Sequence, residues 1–271
     1  MILKKILVYC YKYIKYYKLL SIIDIFSLIH SKRRVKGKVF LYGKQIIYPD
    51  AYWFLHSIDE IFISKVYEAN TKKLNPFIID CGSNIGLSII FFKRKFLNAE
   101  IVAFEPDPQL YEMSVSNIKN SGLGENITVI NKAVWIKNTI MPFNAEGTLG
   151  GTLIDVRQDA SNSINVCCID ILSLLTRKID FLKIDVEGSE LLLLEHCWSK
   201  LYLVENMFVE FHGNINKPQQ LDRFLQLISQ AGFKYYIKES YNLLSYPFMK
   251  EYPKYATYDL LLNIFCFRIN E

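Results

Sequence analysis

The stretch Phe77-Ile78-Ile79-Asp80-Cys81-Gly82-Ser83-Asn84-Ile85-Gly86 limits the fold of this chain more than any other. Its first five residues, apolar apart from Asp80, read as a buried strand. Gly82 and Gly86 end that strand in a tight loop, and a helical apolar pattern follows over residues 84–97. A strand that turns through glycines into a helix aims backbone N–H groups and a helix N-terminus at whatever lies above the sheet edge. Glycine at 82 lets a ligand approach the backbone, and Gly86 allows close helix–strand packing. Asn84 stands where glycine is the simplest choice, and asparagine is among the few other residues that tolerate a left-handed backbone.

The same rhythm continues downstream. Ile101-Val102-Ala103-Phe104-Glu105 reads as the next strand. Pro106-Asp107-Pro108 breaks it and opens a helix to about Ser121, which Gly122 and Gly124 end. Strands follow at 127–131, 181–185 and 207–210, with helices from Ser189 and over 218–231. A closing pair of strands lies at 233–238 and 258–269. Strands alternating with helices specify βαβ units and a doubly wound parallel sheet. Residues 144–163 break the rhythm: polar, with Gly147, Gly150 and Gly151, they read as a long loop of the lid type.

With 271 residues and a 51% hydrophobic fraction, the chain can bury a sizeable α/β core, and nothing in it has the composition of a disordered tract. Its six cysteines show no CxxC pair and no metal-ligand spacing with histidine, so they read as reduced thiols of a cytoplasmic protein and not as a metal site; a divalent ion at Asp185, Glu187 and Glu210 is conceivable, but nothing in the spacing demands one and none is expected. Charge is uneven. Residues 1–44 carry eleven Lys/Arg against Asp24 alone, so the remainder of a chain of net charge +5 is net acidic. Lys4, Lys5, Lys12, Lys15 and Lys18 interrupt the apolar run of residues 1–30 too often for a bilayer-spanning helix of roughly 20 residues. At about 100° per residue these lysines share one arc, opposite Ile2, Ile6, Tyr9, Tyr13, Tyr17 and Leu20. Two readings stand. Residues 1–44 lie peripherally on an anionic membrane, at its inner face, or the helix packs on the domain with a solvated lysine face.

Three sets of residues carry the chemistry. Asp80 and the loop of Gly82, Ser83, Asn84 and Gly86 form the first. The second is Glu105, 25 residues after Asp80 and followed by Pro106, at the strand end from which a carboxylate can take both hydroxyls of a ribose. Because the loop lacks GxGxxG spacing, a pyrophosphate fits less well than an adenosyl group carrying a charged amino acid, whose ammonium Asp80 can face. Asn131, Lys132 and Ala133 are placed to border the adenine. The third set is Lys183-Ile184-Asp185-Val186-Glu187-Gly188-Ser189-Glu190. Lys183 and Asp185 project to one side of a buried strand, where a lysine needs a partner, with Asp80 and Glu210 as candidates. Ser189 and Glu190 can cap the next helix.

Taken in order, residues 80–86, Phe104-Glu105-Pro106, Asn131-Lys132-Ala133-Val134, residues 183–190 and Val209-Glu210-Phe211-His212 resemble the FkbM-type methyltransferases over about residues 58–212. The resemblance implies a Rossmann-like, doubly wound, mostly parallel seven-stranded sheet of the class I methyltransferase kind. Residues 58–271 would form that domain, and residues 1–57 a basic, aromatic-rich helical appendage. It also implies S-adenosyl-L-methionine as cofactor and methyl transfer to a hydroxyl of a glycan, a glycolipid or a small metabolite. Such a transfer needs a base near the methyl. Glu187 and His212 are the candidates, with Asp185 positioning the methionine part. A non-catalytic adenosylmethionine-binding scaffold and a nicotinamide-dependent oxidoreductase are the competing classes. Nucleic acid is not expected as a partner, because the basic residues do not flank the site.

Overall fold

The computed structural model describes residues 14–71, 73–145, 152–153, 163–241, 247–249 and 257–269. Helix α1 (Ile22–His30) leads into an antiparallel ribbon of β1 (Gly37–Leu41) and β2 (Lys44–Tyr48). Helix α2 (Ala51–Ile58) follows and runs on without a break into a π-helical turn over Asp59–Ile63. The alternating part comprises β3 (Phe77–Cys81), α3 (Leu87–Lys95), β4 (Glu100–Phe104), α4 (Pro108–Ser121) and β5 (Ile127–Ile130). A side excursion holds β6 (Ala133–Trp135), β7 (Thr139–Asn144), β8 (Thr152–Leu153) and β9 (Ser163–Asp170). The chain then returns through β10 (Ile179–Ile184), α5 (Glu190–Cys197), β11 (Val204–Asn214), α6 (Leu221–Gln230), β12 (Lys234–Glu239) and β13 (Tyr258–Phe267).

The central sheet has seven strands in the order β12-β13-β11-β10-β3-β4-β5. Strands β11, β10, β3, β4 and β5 are parallel, and β13 runs antiparallel between β11 and β12. This is the mostly parallel, doubly wound sheet expected from the sequence. Strand order reverses between β3 and β10, where an open α/β sheet leaves a crevice beyond its strand carboxyl ends. All six residues of β10 are buried, as a strand covered on both faces requires.

Successive strand residues feed two cores. Ile78, Ile101, Phe181 and Phe208 pack with α1 to α4, and Ile79, Leu182, Ile184, Met207 and Val209 pack with α5 and α6. By the same alternation Asp80, Lys183, Glu210 and His212 lie on the first face, beneath the N-terminal segment. Tyr16, Leu20, Ile25, Phe54 and Tyr67 share one core with α3 and α4, and the boundary expected at 57/58 falls inside the continuous helical stretch of residues 51–63.

Several local expectations are corrected. The helix expected from residue 84 begins at Leu87, because Asn84 and Gly86 are both left-handed, with φ of 49° and 85°. The strand expected over 127–131 ends at Ile130. Ala133 already belongs to a second, four-stranded sheet of order β6-β9-β7-β8, which no periodicity had marked. The loop expected over 144–163 lies largely outside the described residues, and β7, β8 and β9 flank it. The lysine arc and its opposing stripe fall mostly on residues 1–13, also outside the described residues. In the described part the helical run ends at Tyr16, and after a turn the hydroxyl of Ser21 caps α1 by accepting from Asp24 N. Lys15 pairs with Asp59 at 2.9 Å, and Tyr16 and Leu20 are buried while Tyr17, assigned to the apolar stripe, is exposed.

Candidate active site

The loop after β3 is held by its neighbours before any ligand is considered. Gly82 N and Ser83 N donate to Phe104 O at 3.0 and 2.9 Å. Asn84 adopts its left-handed backbone, as anticipated, and its N–H donates to Glu105 Oε2 at 2.8 Å, while Asp107 N donates to Glu105 Oε1 at 2.9 Å. The glycines serve the protein's own packing. A Cβ at Gly82 would stand 2.0 Å from the Asp185 carbonyl oxygen, and one at Gly86 would stand 2.7 Å from Ser114 Oγ on α4, a neighbouring helix and not the strand expected there. Gly86 also leaves the N-terminus of α3 without a side-chain cap, so its first N–H groups are open to an anion. Asn131 Nδ2 donates to Glu105 O and Pro106 O at 2.8 and 3.0 Å, tying the end of β5 to this rim. Lys132 follows it, half-buried, and Ala133 is buried as the first residue of β6.

Lys183 joins this loop to the next. Its Nζ donates to Gly82 O at 2.7 Å and to Asp185 Oδ2 at 3.1 Å, and it lies 3.4 Å from Asp80 Oδ1. Burial opposes the ammonium, but Asp185 and Asp80 outweigh it and hold the Lys183 pKa well above the ordinary lysine value. Asp80 is fully buried, and its Oδ2 accepts from Ser88 Oγ at 2.5 Å. Its first partner is thus Lys183, not solvent, and Glu210 instead accepts from Ser240 Oγ at 2.5 Å. Burial pushes the Glu105 carboxyl up to about 8 despite its two backbone donors.

Beyond Lys183 the carboxylates gather around one imidazole. Glu187 has a left-handed backbone, φ 57°, and its Oε2 lies 3.3 Å from His212 Nε2. His212 Nδ1 lies 3.0 Å from both Glu190 Oε1 and Glu210 O. Glu190 Oε1 also accepts from Val186 N and Gly188 N, whereas Ser189 makes no side-chain cap, so Glu190 orders the turn and the ring where a capping box had been expected. Burial lowers the His212 pKa, yet Glu187 and Glu190 more than reverse this and hold it well above the ordinary value. His212 therefore lacks the ordinary value near 6.5 that suits a histidine to act as a base. Burial pushes Glu187 up to about 8 and Glu210 to about 7.

Asp185, Glu187 and His212 are thus brought together, each offering an atom within 4.8 Å of the others. Sequence reasoning missed the groups that close the site from afar. The Tyr258 hydroxyl donates to Glu187 Oε2 at 3.1 Å, Asn263 Nδ2 donates to half-buried Glu60 at 2.6 Å, and the Tyr67 ring lies 5.9 Å from Lys183 Nζ. Nothing in their local patterns marks them, since they arrive from segments whose roles otherwise read as packing.

The residues fit S-adenosylmethionine. Ser83 Oγ is buried at the loop without a hydrogen-bond partner and Asp80 Oδ1 has only its 3.4 Å ion pair with Lys183, Glu105 is fixed with lone pairs to spare, and the α3 N-terminus can take a carboxylate. Residues 80–235 match the family model described as the methyltransferase FkbM domain. Methyltransferase sdnD of Sordaria araneosa is 28% identical over 56% of this chain and 72% of its own length. Methyltransferase 1 of Beauveria bassiana is 38% identical over 24% of this chain and 26% of its own. Among solved structures, a methyltransferase FkbM from Methylobacillus flagellatus covers 72% of this chain at 14% identity and a TM-score of 0.47, and this chain covers 44% of that one. TYW2 of M. jannaschii, solved in complex with AdoMet, matches over 89% of each chain at 15% identity and a TM-score of 0.47. Since the family match spans more than half of the chain and ends at strand β12, this chain belongs to the FkbM family of S-adenosylmethionine-dependent methyltransferases.

Proposed function

We propose that the chain transfers a methyl group from S-adenosylmethionine to a hydroxyl oxygen, of a sugar in a glycan or glycolipid or, as the alternative class, of a small secondary metabolite. The observation that carries this reading is the cluster of Asp185, Glu187 and His212, joined through the Asp185–Lys183 bond to the lysine that also holds the cofactor loop. The bound cofactor supplies an electrophilic methyl on a sulfonium. Asp80, Gly82, Ser83, Asn84 and Gly86 would hold its amino-acid part, with Glu105 on the ribose and Pro106, Lys132 and Ala133 bordering the adenine. Asp185, fixed by Lys183, positions the methionine end. Glu187 takes the acceptor proton: its carboxyl, pushed up to about 8, is a stronger base than an exposed glutamate. His212 orients Glu187 through its Nε2.

Glu187→Gln and His212→Ala should each lower turnover about 100-fold or more while calorimetry shows nearly unchanged cofactor binding. Unchanged turnover in both would remove them from the chemistry. The acceptor is sought by mass spectrometry of cell-surface glycans and small metabolites with and without the gene, a single missing methyl being the expected difference. The buried carboxylate and histidine cluster weighs against a non-catalytic scaffold. We also place the protein in the cytoplasm, with residues 1–44 in peripheral contact with anionic membrane. Exposed Ile22, Ile23 and Phe26 on α1 and the exposed Lys32, Arg34 and Lys36 that follow it in the chain support that contact, and no helix among the described residues is long and apolar enough to cross a membrane.

A further inference from the structure

The three atoms that Asp185, Glu187 and His212 present to one another come from two places in the fold. Both carboxylates belong to the turn after β10, and the imidazole belongs to β11. This is no solvated acidic patch: the side chains of His212, Glu187 and Asp185 are 4%, 17% and 21% exposed. An independent feature concerns the ring itself. Glu190, 2% exposed and in no part of the triad, fixes Nδ1 from behind at 3.0 Å, which turns Nε2 toward Glu187 and into the cluster. A buried carboxylate on one ring nitrogen, with the other nitrogen facing two further carboxylates, is how metal sites fix the tautomer and orientation of a histidine ligand.

We infer that Asp185, Glu187 and His212 form a binding site for one divalent first-row transition ion of the Mn²⁺ or Zn²⁺ type. The donor set decides the class. One imidazole nitrogen with two carboxylates suits these ions, whereas Mg²⁺ favours oxygen ligands and retained water. Three protein ligands leave coordination positions open, and an acceptor oxygen can occupy one of them. That use rests on the methyl-transfer reading, but binding of the ion does not. In the ion-bound protein Glu187 would be a ligand and not the free base of the ion-free reading, the ion instead lowering the pKa of the acceptor hydroxyl it holds, and Lys183 keeps Asp185 from swinging away by its 3.1 Å bond.

The test uses the full chain, stripped with a chelator and dialysed. Equilibrium dialysis against Mn²⁺, Zn²⁺ and Mg²⁺ should give one Mn²⁺ or Zn²⁺ per chain, with affinity for either about tenfold or more above that for Mg²⁺. Asp185→Asn and His212→Gln should each weaken binding by at least about tenfold, and Glu190→Gln by about 10- to 100-fold. His196→Gln, at the distant pair with Asp170, should leave it unchanged. Should the variants not fold, pulsed electron paramagnetic resonance of Mn²⁺ in the unaltered protein should show coupling to a directly bound imidazole nitrogen. The inference is overturned by the absence of a stoichiometric ion at about 1 mM, by binding that survives both ligand variants, or by the absence of nitrogen coupling. Calorimetry with S-adenosylmethionine on the same sample keeps the readings apart. A bound ion without cofactor binding would count against methyl transfer and leave the metal site standing.

Discussion

Lys183→Met removes the one cation that ties the two halves of the site together. The side chain keeps its length and apolar stem, so the loss is confined to Nζ, which donates to Gly82 O and Asp185 and pairs with Asp80. Asp80, fully buried, is left with Ser88 alone, and the Gly82 carbonyl loses a donor. Breaking a buried pair by removing one partner costs about 3–5 kcal/mol, a large share of the roughly 5–15 kcal/mol that holds a typical domain together. With a urea dependence of about 3 kcal/mol per molar, the unfolding midpoint should fall by about 1–1.7 M. The double variant Asp80→Asn/Lys183→Met removes the stranded charge as well. Its loss should therefore be smaller than the sum of the single losses by at least about 1 kcal/mol. Urea titrations of the four proteins, followed by circular dichroism, measure both quantities. A single variant within about 0.5 kcal/mol of the unaltered protein, or additivity within the same margin, would refute the assignment of Lys183 as the counter-ion of Asp80.

Three further outcomes follow from the same geometry. Gly82→Ala places a Cβ 2.0 Å from the Asp185 carbonyl oxygen on a backbone at φ +94°, so calorimetry should show cofactor affinity reduced by at least about tenfold, with about 2 kcal/mol or more lost in stability; affinity equal to that of the unaltered protein would contradict the packing described. The Glu105 carboxyl rises from an ordinary 4.5 to about 8 on folding. Its contribution to cofactor-free stability is thus full below about pH 4.5 and is lost as pH rises through about 8, so urea midpoints between pH 5 and 9 should decline in the unaltered protein and decline less steeply in Glu105→Gln, where Glu187 and Glu210 still titrate. Phe92, fully buried between the Tyr67 and Phe181 rings, should cost about 3–5 kcal/mol when replaced by alanine, and a loss below about 1 kcal/mol in denaturant would show that the N-terminal segment closes over the gap.

Much of the site could be read from the chain because its residues sit where strands end. Asp80, Glu105, Asp185 and Glu210 are each the polar residue closing or following an apolar run, and strand carboxyl ends in a parallel sheet all face one crevice. The Asp107 cap and Gly122 stop of α4 were legible for a similar reason. A side-chain oxygen two residues from an N–H, or a glycine at φ 73°, acts within a single turn. The roles inside the site were harder to read. His212 read as a candidate base with nothing to show that Glu187 and Glu190 lie on either side of it, and Glu190 read as a helix cap with nothing to show that its carboxylate lies on the ring. The second sheet escaped notice because β6 and β8 are three and two residues long, too short for an alternation to show.

From the sequence alone came the strand–loop–helix order, the doubly wound sheet and the identity of the residues at its active edge, since each depends on sterics and periodicity within a few residues. Only the tertiary structure decided who partners whom. Asn263 reaches Glu60 across 203 residues, Lys183 settles between Asp80 and Asp185, and the N-terminal segment lies over the polar face of the sheet. Such contacts form when packing of the whole core brings distant segments within a few ångströms, and burial then sets the charge state of each group through its neighbours.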